Sequence, residues 1–130
     1  MIGTIRALLL VEAASFAIAA LVHLGVLTTG YEHGQAGTAE SLIAVVLVLG
    51  LAATRIRAAS VRAIALAAQG IALAGTLVGV FTIAIGVGPR TVPDIVYHVA
   101  IVAVLVAGLI VASRARGQPL TPPTRMPSMK

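Results

Sequence analysis

The chain has 130 residues, of which 59% are hydrophobic and only 10% charged, with a net charge of +5 and a mean hydropathy of +1.08. That balance lies outside a soluble domain and reads as an integral membrane protein of one domain. The absence of cysteine and tryptophan, with only two Phe and two Tyr, excludes disulfides, thiolate metal sites, iron–sulfur clusters and an aromatic cage. The three methionines stand at positions 1, 126 and 129, so no thioether copper relay lines a core. The basic residues flank apolar runs without aromatic platforms, which argues against nucleic acid as a partner.

Residues 6–27 form the first apolar run, interrupted by Glu12, Ser15 and His23. About 20 residues at 1.5 Å each cross a ~30 Å hydrocarbon core, so the run is long enough to span. A cleaved signal peptide is the competing reading; Glu12 inside the apolar region and a weak polar n-region stand against it. Residues 28–37 make a polar loop, Thr-Thr-Gly-Tyr-Glu-His-Gly-Gln-Ala-Gly, after which Thr38 is the predicted cap of a second, shorter span over 38–54. Arg55, Arg57 and Arg62 mark a short basic connection. The third span, 63–87, carries Gln69, Thr76 and Thr82, and its Gly75-x-x-x-Gly79 pair suits close helix contact or a dimer seam. Gly86, Gly88 and Pro89 break it. Thr91-x-x-Asp94 then reads as a capping box, with Pro93 in the first turn, opening a fourth span over 92–112. Residues 117–130 form a Pro-rich tail, predicted to be disordered and cytoplasmic.

If the four spans alternate, all of the nine Lys and Arg except Arg90 fall on one side. By the positive-inside rule both termini are cytoplasmic, and Arg90 is the lone positive residue of the outer face. The predicted fold is all-α, an up-down-up-down membrane four-helix bundle with the first and last helices adjacent.

Chemistry concentrates near the outer face. His23 lies roughly 7 Å below the end of the first span, and His98 a similar depth below the start of the fourth. Glu40 and Asp94 cap the same layer, with Glu32 and His33 in the loop above. His and carboxylate side chains suit a divalent transition metal, two histidines suit haem, and the same groups suit a proton relay. The plainer reading makes Asp94 and Glu40 helix-terminal charges, Glu32 and His33 loop residues, and the two buried histidines independent interhelical contacts. Deeper on the basic side, Glu12 and Gln69 enter from the same face and are predicted to meet. Glu12 and His23 are eleven residues apart, about 1100° of turn, so they share a helix face and outline a polar pathway.

Arg6 at the start of the first helix, Ala39-Glu40-Ser41-Leu42, Val48-Leu49-Gly50-Leu51 and Thr54-Arg55 together resemble the DoxX-like group of small four-span membrane proteins, mainly over residues 38–70. In that group an acid begins helix two and a Leu-Gly-Leu with a basic residue ends it. The resemblance implies a membrane redox-accessory role, because the group includes subunits linked to quinone reduction. The single acid of helix one and the four spans also resemble small multidrug-resistance exporters, which implies Glu12 as a shared proton and drug site. The leading expectation is therefore an outer-leaflet site of His23, Glu40, Asp94 and His98, with His33 above it, binding a metal ion or metal cofactor in a transport, sensing or redox-accessory role. The alternatives are proton-coupled export of organic cations through Glu12, and a structural or assembly subunit without chemistry. The expected partners are the lipid bilayer and further copies or subunits of a membrane complex.

Overall fold

The computed structural model describes residues 1–115. The predicted tail, 117–130, lies outside them. The described chain is helical: α1 Ile2–His23, α2 Gly34–Ile56, a 3₁₀ turn Ala58–Ser60, α3 Val61–Ala84 and α4 Val92–Arg114, with no strand among the described residues. All four α-helices are long and apolar enough to cross a membrane, which points to a multi-pass membrane protein.

Each helix packs on its neighbours in the chain, and α1 closes the ring against α4. The burial pattern inverts that of a soluble bundle. Leu42, Val78 and Val99 face outward at 65%, 63% and 68% exposure, whereas the interior is built of small residues such as Ala13, Ala44, Ala65 and Ala72 around Leu9, Phe16, Leu47 and Leu105. Small interior residues let helix backbones approach closely, the usual basis of packing where lipid supplies no hydrophobic drive. Gly50 shows the tolerance, because a Cβ there would lie 2.7 Å from the Cβ of Ala68. Gly75 meets Ile43 of α2 and Gly79 meets His98 of α4, so the predicted glycine pair serves contacts within the chain.

The helix ends correct the sequence reading. The first span stops at His23 and not at residue 27: Gly25 takes φ +72°, its N–H bonds the Val22 carbonyl, and the Val26 N–H bonds that of Leu21. This is a Schellman stop, and the apolar residues beyond it belong to the loop. The third span ends in the same way at Ala84, with Gly86 at φ +86° and Val87 bonded to the Thr82 carbonyl. α2 begins at Gly34, four residues before the predicted Thr38, because the His33 side chain accepts the Ala36 N–H and acts as the cap. Thr38 bonds back to the Gly34 carbonyl inside the helix. The capping box of α4 forms as predicted, Thr91 and Asp94 satisfying each other's backbone N–H.

At the basic end, Arg6 donates from Nη2 to the Thr54 carbonyl at 2.6 Å, clamping the start of α1 to the end of α2. Arg90, at the opposite end, donates to the Ile83 and Ala84 carbonyls and so caps α3.

Candidate functional site

Three helices deliver one cluster. His23 is the last residue of α1, Glu40 lies in the second turn of α2, and Asp94 lies in the first turn of α4; all three are buried. His23 Nδ1 stands 2.7 Å from Glu40 Oε2, and His23 Nε2 stands 3.0 Å from Asp94 Oδ1. One imidazole therefore bridges two carboxylates that are 54 residues apart in sequence.

The hydrogen-bond pattern assigns the protons. Asp94 Oδ2 already accepts the Thr91 backbone N–H at 3.1 Å and the Thr91 hydroxyl, at the positive end of a helix. Asp94 is thus the acceptor of the set, and His23 Nε2–H donates to its Oδ1. That tautomer turns Nδ1 toward Glu40. The remaining proton lies between Nδ1 and Oε2, on the imidazolium or on the carboxylic acid, and in either form it makes the same hydrogen bond.

His98 stands apart from this bridge. Its Nδ1–H donates to the Asp94 carbonyl at 2.8 Å on its own helix, and its Nε2 lies against Gly79 of α3. The predicted depth of His23 below its helix end does not hold, because His23 is itself the last residue of α1, whereas His98 lies in the second turn of α4. The two are linked through Asp94, one by the carboxylate and one by the backbone, with no direct bond between them. His33 caps α2, and Glu32 accepts the Gly30 N–H at 2.7 Å within the loop. Arg90 bonds helix carbonyls and makes no ion pair with the cluster.

Two cavities flank the bridge. One, of about 160 Å³, opens between α2, α3 and α4 and is lined by Glu40, His98, His33, Thr76 and Thr82 among apolar side chains. The other, of about 540 Å³, lies between α1 and α4 and is lined by His23, Asp94, Tyr97 and Tyr31. Glu40 lines the first and its two partners the second, so the Glu40–His23 hydrogen bond sits in the wall between them.

Two features of the site go beyond the predicted residues. Tyr97 packs edge-on to both Phe16 and His98, and its buried hydroxyl has no hydrogen-bond partner. Its signal was present in the sequence, since Asp94, Tyr97 and His98 fall at i, i+3 and i+4 on one helix face. Glu40 Oε1 is the second buried atom here without a partner.

Comparison of the chain with protein families, with curated proteins and with solved structures gives no match. Among the described residues no group of three or more His, Cys, Asp or Glu is set out to hold a metal ion. The physical reason is visible in the bridge. Both His23 nitrogens already point at carboxylate oxygens, so neither offers a lone pair to a metal or a haem iron without losing a hydrogen bond.

Deeper toward the basic end, Glu12 and Gln69 are both fully buried. The Gln69 amide donates to both Glu12 oxygens, at 2.9 and 3.1 Å, which joins α1 to α3 across the bundle axis as their register predicts. Neither residue lines the two cavities above. The pair has the character of an interhelical lock.

Proposed function

We propose that this chain is a multi-pass membrane protein with both termini cytoplasmic, whose outer half holds and passes a proton through Glu40, His23 and Asp94 in a transport or sensing role. The observation that carries the reading is the His23 ring with both nitrogens engaged by buried carboxylates from two other helices. A structural contact needs one such bond. An imidazole bonded on both sides is the arrangement by which one proton enters at one nitrogen while another leaves from the second. The flanking cavities supply a route on each side. Buried ionisable groups in a membrane are costly and mark functional sites by default. The same geometry favours proton holding over metal ligation, and the lock-like burial of Glu12 favours a packing role for that acid over drug binding.

Two experiments test this. A periplasm-reporting tag inserted in the loop of residues 28–33 is expected to be active, and one fused to the C-terminus inactive. The opposite pattern would place the cluster at the cytoplasmic side. For the relay itself, infrared spectra of the reconstituted protein across a pH titration are expected to contain a protonated-carboxyl band that Glu40→Gln removes and His23→Gln shifts. Glu12→Gln serves as the control for the other buried acid. A band set indifferent to both Glu40→Gln and His23→Gln would mean that no proton is held there.

A further inference from the structure

The relay leaves one charge unaccounted for, and one of its own atoms lacks a partner, as does the neighbouring Tyr97 hydroxyl. Asp94 and Glu40 contribute two negative charges and the shared proton cancels one, so the cluster keeps one negative charge in excess. Among the described residues the only ion-pair partner of either carboxylate is His23 itself. The relay atom is Glu40 Oε1, buried and without a donor, on a residue only 5% exposed that lines the smaller cavity. A carboxylate oxygen left bare in an apolar bundle is expensive.

Of the remaining polar groups of that cavity, the exposed Gln35 carries an amide donor and the half-buried His33, whose Nδ1 accepts the Ala36 N–H, carries its proton on Nε2, while the other three offer lone pairs. His98 Nδ1 carries its proton to the Asp94 carbonyl, which leaves Nε2 as a lone pair in the neutral ring. The hydroxyls of Thr76 and Thr82 spend their hydrogens on the Ala72 and Gly79 carbonyls, at 2.7 Å each, and offer only acceptor lone pairs to the cavity. Thr76, Thr82 and His98 thus offer acceptors beside a net negative charge, among apolar side chains such as Phe16, Ile43 and Val78. Its volume of about 160 Å³ is that of roughly five waters, or of a small organic molecule.

From this geometry we infer that the cavity between α2, α3 and α4 binds a small primary alkylammonium ion, its three N–H donors directed at Glu40 Oε1, His98 Nε2 and a threonine hydroxyl. This inference rests on the relay reading, because the bridge to His23 and Asp94 is what leaves Oε1 free and the cluster negative. A primary ammonium supplies both missing quantities, a positive charge and donors, and its short alkyl chain meets the apolar wall. A bare alkali or divalent ion fits less well, since it needs about six oxygen ligands and the wall offers few. Binding needs no change in covalent bonding; the cation neutralises the excess charge while the Glu40–His23 proton stays in place.

The test is calorimetric titration of the full chain in detergent with ethylammonium, propylammonium, tetramethylammonium and sodium chlorides. Binding of the primary ammonium ions is expected, with tetramethylammonium and sodium at least tenfold weaker. Thr76→Val, which keeps shape and removes one acceptor, is expected to weaken binding several-fold, and Glu40→Gln to abolish it. A further readout needs no variant: the Glu40 infrared band of the wild type is expected to shift on adding ethylammonium. Equal binding of tetramethylammonium, or binding indifferent to Glu40→Gln, would overturn the inference. An intact Glu40 band that no ammonium shifts, with no heat of binding, would overturn it while leaving the relay standing. Loss of the band itself would remove both.

Discussion

Gly108→Ala is expected to destabilise the bundle by about 3 kcal/mol, more than its single added methyl group would cost elsewhere in the interior. A Cβ built at Gly108 of α4 collides with the Gln69 amide of α3 and lies 2.5 Å from Glu12 Oε1 of α1. Three helices therefore meet at a point where only a hydrogen atom fits. Helix interiors generally gain when Gly becomes Ala, by about 1 kcal/mol, so propensity and packing pull in opposite directions here. Packing wins because the methyl group must either push α4 outward or break the Glu12–Gln69 hydrogen bonds. Breaking them leaves a carboxylate and an amide buried without partners, at about 1–3 kcal/mol for each unsatisfied group. Gly70→Ala is the matched control, since a Cβ there meets nothing within 4 Å. Unfolding in mixed micelles is the measurement, with Gly108→Ala strongly destabilised and Gly70→Ala at wild type or more stable by up to about 1 kcal/mol.

The contrast between Gly108 and Asp94 explains what was legible in the sequence. Asp94 is marked twice over in the sequence, as the third residue after a capping threonine and as an acid one turn from His98, because both signals are local. The Glu12–Gln69 contact was also legible, since alternation of the spans brings both residues in from the same side at similar depth. Gly108 was silent. It lies in an unbroken apolar run, and nothing near it in sequence says that an acid 96 residues earlier packs against its Cα. Facing is hard to read in such helices because they are apolar all round, so the periodicity that marks a buried stripe in a soluble helix is weak. The same weakness explains His98. Depth is counted from predicted helix ends, and α1 ends at His23 itself, so the depth match with His98 does not follow; nor does azimuth, since His98 turns toward Gly79 while His23 turns toward Glu40. The span ends moved for another reason. Leu24, Val26 and Leu27 continue the apolar run past the place where Gly25 turns the backbone left-handed, and hydropathy registers the first fact and not the second.

The second large effect lies in the bridge. His23→Ala removes the group between two buried carboxylates and is expected to cost about 3–5 kcal/mol, the usual consequence of breaking a buried charged pair. Glu40→Gln alone is expected to cost less, because a glutamine amide can still donate to Nδ1 and Asp94 still holds the ring. The informative quantity is the coupling. If Glu40 and His23 share one proton, the loss from His23→Ala is largely the loss of a charge partner for Glu40, and neutralising Glu40 in the same chain removes that penalty. The double variant His23→Ala, Glu40→Gln is then expected to be more stable than His23→Ala by about 1–3 kcal/mol, a strong departure from additivity. The decisive measurement is this cycle run on thermal stability in detergent, with and without a metal chelator. A large coupling and no chelator effect on any of the four proteins are expected. Additive losses would mean that the histidine and the carboxylate act separately, and a chelator-sensitive wild type whose sensitivity vanishes in His23→Ala would put a metal ion where the proton has been placed.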